Sequence, residues 1–161
     1  MIIIINGSRF AGKTTTSNLL AKKLKRTAHI ELDALRWFLP GLNLEQTIPI
    51  NLENAVLITK NLVSKKFNVI IDYCLRKRDH SYLIRNLKNP KTEIYTITLK
   101  PQIKAALTNR GRTLSKDDEK RIHEQYGKGK HAIREIGLVI DNTDKSPAEV
   151  AELIKNYVRK N

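Results

Sequence analysis

Ile2-Ile3-Ile4-Ile5-Asn6-Gly7-Ser8-Arg9-Phe10-Ala11-Gly12-Lys13-Thr14-Thr15-Thr16 is the stretch from which the fold can be read. Four isoleucines in succession leave no polar face, so they read as a strand buried on both sides, the kind found inside parallel sheets. Directly after it, Gly7 to Thr14 match the pattern G-x-x-x-x-G-K-[ST] without exception, and Thr16, Leu20 and Leu24 then share one face of a helix. The spacing has a physical purpose. Glycines let the backbone wrap closely so that successive N–H groups point inward, and the positive end of the following helix adds to their pull on anions. Lys13 supplies an ammonium for the β- and γ-phosphates of a nucleotide and Thr14 a hydroxyl for a magnesium ion. Average composition gives a chance match in about one per cent or less of chains this long. The contacts are therefore assigned to Gly7, Ser8, Arg9, Ala11, Gly12, Lys13, Thr14 and Thr15, although the large residues Arg9 and Phe10 have no evident side-chain role.

Working outward, four further runs, Ala28–Leu32, Val69–Tyr73, Ile94–Leu99 and Leu138–Ile140, alternate with helical patterns, which predicts a parallel sheet with helices on both faces. Leu52, Ala55, Val56, Thr59, Leu62 and Val63 mark one amphipathic helix about three turns long. Ser146-Pro147-Ala148-Glu149 combines an N-cap, a first-turn proline and a capping-box glutamate, with Val150, Leu153, Ile154 and Tyr157 as the apolar stripe that follows. At 161 residues, without repeats or a Pro/Gly/Ser linker, the sequence reads as one domain over 1–161. Met1–Ile5 is far shorter than a membrane span and lacks the features of a signal peptide. Cys74 is the only cysteine, so no intrachain disulfide can form; a reducing, cytoplasmic setting is the expectation, with no membrane partner.

The formal charge of +14 favours phosphates, nucleotides or nucleic acid as partners. It concentrates in residues 60–91, with nine basic against two acidic, and in 100–134, with ten against four. A solvated basic surface is the plainer reading of that excess.

Two carboxylates follow strands. Val69-Ile70-Ile71-Asp72 has the Walker B form, in which Asp72 holds magnesium near Thr14. In Glu31-Leu32-Asp33, Asp33 is placed to accept the proton of an alcohol as phosphate is transferred to it, while Glu31 helps organise the metal through water. Capping of the next helix is the alternative for Asp33. Arg76 and Arg78 can grip an anionic acceptor, and Trp37 and Phe38 can offer it an apolar wall or simply pack beneath the neighbouring helix.

In order and approximate spacing, the phosphate loop, the Asp33 segment, Asp72 and a later basic segment resemble small P-loop kinases. The likeness is greatest to chloramphenicol phosphotransferase-like enzymes and to the kinase domain of polynucleotide 5′-hydroxyl kinases. It covers nearly the whole chain, but only the loop is highly specific. The resemblance implies a three-layer α/β fold of the P-loop NTPase type, with a five-stranded parallel sheet and a small lid near 109–120. It further implies ATP with Mg²⁺, Lys13 and Asp33 as catalytic groups, and Arg36 at a substrate phosphate beside Trp37. Among the lid arginines, Arg110 stacks on adenine and Arg112 neutralises the transferring phosphoryl, while Asn142 and Thr143 lie where the base is wrapped. A kinase of a small hydroxylated molecule is the first reading. The alternatives are a polynucleotide or nucleotide kinase, whose acceptor is nucleic acid, and a nucleotide-dependent switch. The acceptor and the oligomeric state are not legible.

Overall fold

The computed structural model describes residues 1–108, 113–129 and 131–160. Five strands, β1 (Ile2–Gly7), β2 (Thr27–Glu31), β3 (Asn68–Tyr73), β4 (Ile94–Leu99) and β5 (Leu138–Ile140), form one sheet in the order β2-β3-β1-β4-β5. Every pairing is parallel. Among the described residues six α-helices connect or flank them: α1 (Lys13–Lys23), α2 (Leu44–Ser64), α3 (Lys77–Leu87), α4 (Ile103–Thr108), α5 (Lys116–Tyr126) and α6 (Pro147–Lys160). No described helix is long and apolar enough to cross a membrane.

The isoleucine run explains the layering. Successive strand residues point to opposite faces, so Ile2 and Ile4 enter one core with α2 and α3 residues such as Leu52, Ala55 and Leu83. Ile3 and Ile5 enter the other, with Leu20 of α1 and Val150, Ala151 and Ile154 of α6. All four isoleucines are buried, each worth roughly 1.5–3 kcal/mol against a net domain stability of about 5–15 kcal/mol. The central strand is therefore the element the fold can least do without.

Three expectations need correction. Helix α2 begins at Leu44, well before the periodic stretch, because Asn43 and Gln46 form a capping box whose two hydrogen bonds are both 3.0 Å. The helix continues through Pro49, which lacks the N–H for one helical hydrogen bond. On α6, Leu153 is 46% exposed and the buried stripe runs through Val150, Ala151, Ile154 and Val158 instead. Strand β2 ends at Glu31, so Leu32–Phe38 is a 3₁₀ segment carrying Asp33, and Trp37 and Phe38 on it are exposed, not packed beneath a helix.

The cap of α6 is as the sequence spells it. The Ser146 N–H donates to Glu149 Oε2 at 2.8 Å, and the Glu149 N–H donates to Ser146 Oγ at 3.3 Å. We predict that Ser146→Ala destabilises the fold by about 1 kcal/mol and lowers Tm by roughly 2–4 °C in a thermal melt followed by circular dichroism; an unchanged Tm would show that α6 holds by packing alone.

Candidate active site

The phosphate loop is built where β1 ends. Asn6 is fully buried; its Nδ2 donates to the Arg134 carbonyl at 3.0 Å and to Thr98 Oγ1 at 3.4 Å, and its Oδ1 accepts from the Leu75 N–H at 2.9 Å. Gly7 follows with φ 152°, and a Cβ there would meet the Leu99 carbonyl oxygen at 2.6 Å, so only glycine lets the chain pass. Phe10 has φ 59°, an unfavourable left-handed conformation for a bulky side chain. Gly12, with φ 88°, is the N-cap of α1, which has no side-chain cap and no acidic residue in its first turn. The end of that helix is thus open to an anion.

Beyond β5 one side chain braces the loop and its neighbour fixes the segment that carries it. Asn142, after β5, donates Nδ2–H to the Ala11 carbonyl at 2.9 Å, which gives this residue a structural contact with the loop. Thr143 donates to Asp141 at 2.6 Å and accepts from the Gln102 N–H at 2.8 Å. Lys13 folds back, donating to the Ser8 carbonyl at 2.8 Å and approaching Cys74 Sγ at 3.2 Å. Burial is the largest influence on this ammonium and works against its charge, but Cys74, Asp72 and Asp33 outweigh it, so the pKa is raised.

Register brings the carboxylates to the same level. Asp72 pairs across to Ile5 on one side and to Glu31 on the other. Its side chain is buried; Oδ1 lies 3.4 Å from His29 Nε2, while Oδ2 has no hydrogen-bond partner among the described residues. A buried carboxylate oxygen left unpaired is costly. Nearby, the Thr14 hydroxyl donates to Glu31 Oε1 at 3.3 Å. A divalent cation would satisfy this donor set. Among the described residues no three His, Cys, Asp or Glu side chains gather as a cage, which suits an ion that keeps several waters and takes phosphate oxygens as its remaining ligands.

Asp33 stands where two clefts meet. One, of about 510 Å³, is lined by Arg9, Arg36, Tyr73, Cys74 and Arg76 among others. The second, of about 530 Å³, is lined by Glu31, Arg36, Trp37 and Leu42. Asp33 is exposed to solvent, yet the surrounding protein partly strips its carboxyl of water. That crowding is the largest influence on its carboxyl and raises its pKa, opposed by Lys13 and Arg36, while Asp72 adds to the rise. A carboxylate so placed is a better proton acceptor than an ordinary surface aspartate.

The other residues singled out in sequence divide. Arg76 lines the first cleft but is committed to Asp79, with Nε donating to Oδ2 at 2.7 Å at the start of α3. Arg78 has a side chain 72% exposed, lies 3.5 Å from Asp79 and lines neither cleft, so it does not join Arg76 in a common anion site. Thr15 is exposed in the first turn of α1. Arg110 and Arg112 lie outside the described residues.

Sequence reading missed the face of α5. Gln125 Oε1 accepts the Arg9 N–H at 2.7 Å, and the Arg9 guanidinium lies 3.0 Å from Asp118. The Ser8 hydroxyl donates to Tyr126 at 3.4 Å, and Tyr126 in turn donates to the Pro101 carbonyl at 2.6 Å. The available signal was Arg9 itself, a long cation in a loop that packs best when small. Its partners lie more than a hundred residues away and carry no local mark.

No family model and no curated protein matches the sequence. Solved structures do match. The tunicamycin resistance protein of Deinococcus radiodurans is 23% identical with a TM-score of 0.66, covering 98% of this chain and 94% of that one. A sugar kinase from a Janibacter species is 15% identical with a TM-score of 0.71, covering 98% and 94%. The APS kinase of Mycobacterium tuberculosis, solved with AMPPNP and APS, is 13% identical with a TM-score of 0.71, covering 98% and 96%. At these identities the likeness is one of fold, which in this chain is an all-parallel five-stranded sheet flanked by helices.

Proposed function

We propose that this chain is an ATP-dependent phosphotransferase whose acceptor is a hydroxyl group of a small molecule. The observation that carries the reading is the convergence of a charged, half-buried Lys13 with Asp72 and Asp33 at the mouth of an N–H-lined loop. A pure nucleotide switch has no need of a crowded carboxylate opening onto two clefts.

In this reading the amides of Gly7–Thr15 and the Lys13 ammonium hold the triphosphate, so Lys13 leaves Ser8 for the β- and γ-phosphates. Mg²⁺ held by the Thr14 hydroxyl and Asp72, with Glu31 acting through water, would neutralise phosphate charge when bound. Asp33 accepts the proton of the acceptor hydroxyl as its oxygen bonds to the γ-phosphorus; the bond from that phosphorus to the bridging oxygen breaks and ADP departs. The acceptor lies in the clefts lined by Arg36, Trp37 and Arg76. Arg110 and Arg112, on a lid near 109–120 of a single domain, cover the base and the transferring group, and the segment around Asn142 and Thr143 borders the adenine. The kinase fold supports the reaction class, and the loop motif supports the nucleotide.

We expect Asp33→Asn to keep nucleotide affinity within about three-fold while lowering kcat by roughly 10²–10⁴-fold. Lys13→Ala should weaken nucleotide binding and turnover together. Calorimetric ATP titration checks the first quantity. A coupled ADP assay checks the second, with an acceptor found by screening antibiotics, nucleosides, sugars and 5′-hydroxyl oligonucleotides; full turnover by Asp33→Asn removes the proton-acceptor role.

The same variant tests the crowding of Asp33. Its folded pKa lies above the unfolded value, so the unfolded chain releases the proton first. Stability present below the unfolded pKa is lost as pH rises through the folded one, and the deficit persists at neutral pH. Asp33→Asn should therefore raise Tm at pH 7 by an amount that solvent screening at this exposed residue keeps small, with no gain near about pH 3. A Tm that is equal or lower at pH 7 contradicts the electrostatic reading of this site.

A further inference from the structure

At the end of the sheet away from the phosphate loop lies a cleft that the proposed transfer does not use. Its volume, about 410 Å³, is within the range of small-molecule sites. Ile2 borders it at the start of β1, whereas the phosphate loop leaves the other end of the same strand at Gly7. The last turns of α2 and α3 supply its walls, and none of its residues lines the clefts at Asp33.

Lys60 and Lys88, one from each wall, belong to the basic stretch 60–91. Both are exposed, and neither ammonium makes a hydrogen bond or ion pair among the described residues. No acidic side chain is among the residues that line the cleft. The end of α2 closes without help from Lys60. The Asn61 carbonyl accepts from the Ser64 hydroxyl at 2.7 Å, that of Leu62 from the Phe67 N–H at 3.1 Å and that of Val63 from the Lys66 N–H at 2.9 Å.

A buried group in the lining also lacks a partner. Thr59 stands in the apolar stripe of α2 and is fully buried, yet its Oγ1 has no hydrogen-bond partner among the described residues. Valine has nearly the same shape without the cost of an unpaired hydroxyl, so packing alone gives no reason for threonine here. Asn89 Oδ1 accepts the Lys91 N–H at 2.9 Å, which leaves the Nδ2 donors of that amide without a partner among the described residues. Ile2, Val63 and Leu87 supply the apolar part of the lining.

Charge selects the class of ligand. The two ammoniums are opposed by the carboxyl ends of two helices, each worth about half a negative charge, so roughly one positive charge is left to be matched. Neither a helix N-terminus nor an arginine fork lines the cleft, the devices that suit a phosphate dianion. We infer that this cleft is a binding site for a small organic monoanion: a carboxylate held by Lys60 and Lys88, with the Thr59 hydroxyl and the Asn89 amide as further donors and an apolar body on Ile2, Val63 and Leu87. The site stands apart from the proposed phosphoryl transfer and does not depend on it.

Hexanoate is the probe. Hexanol has its chain without charge, hexylamine has the opposite charge, and hexyl phosphate is a dianion. Titration of the full chain, followed by amide and methyl chemical shifts, should show hexanoate moving the signals of Ile2, Val63 and Asn89 saturably while those of Gly7–Thr14 stay in place. At this cleft hexanoate should bind at least about ten-fold more tightly than hexanol or hexylamine, and no more weakly than hexyl phosphate. Lys60→Gln combined with Lys88→Gln should reduce hexanoate to the affinity of hexanol. Both positions are exposed, so the substitutions spare the core, and an unshifted melting curve verifies this. Thr59→Val should leave Tm equal or higher, because it removes an unpaired buried hydroxyl, yet weaken hexanoate at least about three-fold. A threonine with a purely structural role would leave that affinity unchanged. The inference is overturned by equal affinities for hexanoate and hexanol, by tighter binding of hexylamine or hexyl phosphate at the cleft, by shifts confined to other parts of the chain, or by either variant binding hexanoate as the parent does.

Discussion

One buried amide, Asn6, sits at the point where the strand order reverses, and much of the site hangs on it. Its three hydrogen bonds join the end of β1 to Leu75 after β3, to Thr98 on β4 and to the Arg134 carbonyl. In open α/β sheets a crevice forms at such a reversal, beyond the carboxyl ends of the strands. By pinning three segments at that height, Asn6 fixes where Gly7 turns out of the sheet and where Asp72 and Cys74 arrive beside it. The register then carries Glu31 to the level of Asp72. A side chain that satisfied fewer of these partners would leave buried polar groups unpaired, at about 1–3 kcal/mol for each.

The site built on this frame is electrostatically tense. Asp72 keeps an oxygen without a partner among the described residues, Lys13 bends back onto its own loop, and crowding works against the charge of Asp33. The first and the third of these work against stability, whereas the contacts of Lys13 favour its charge; a cation at Asp72 would relieve the first. Concentrating destabilising groups at one crevice is the usual trade between stability and activity. Helix α5 adds a second coupling. Gln125 and Asp118 hold the backbone and the side chain of Arg9, so the Gly7–Thr14 loop and helix α5 are in direct contact.

What was legible in sequence was local. The isoleucine run, the loop that follows it, the five strands and the Ser146 capping box are all written in consecutive residues, and the structure has them. Long-range partners were not legible. Nothing near Lys13 announces Cys74, 61 positions away, and nothing near Arg9 announces Gln125. Competition between local roles hid others: Asp79 draws Arg76 into the start of α3, which two adjacent basic residues cannot foretell. The outward aspect of Trp37 depends on a 3₁₀ segment whose period of three cannot be told from helical spacing over seven residues.

The most direct test of the central claim is a crystal structure of the chain grown with a non-hydrolysable ATP analogue and magnesium. The expected result has the β- and γ-phosphates inside the Gly7–Thr14 loop, Lys13 turned from Ser8 and Cys74 onto them, and the metal between Thr14 and Asp72. A nucleotide seated elsewhere, with Lys13 still on Ser8 and the Asp72 oxygen still bare, would contradict it.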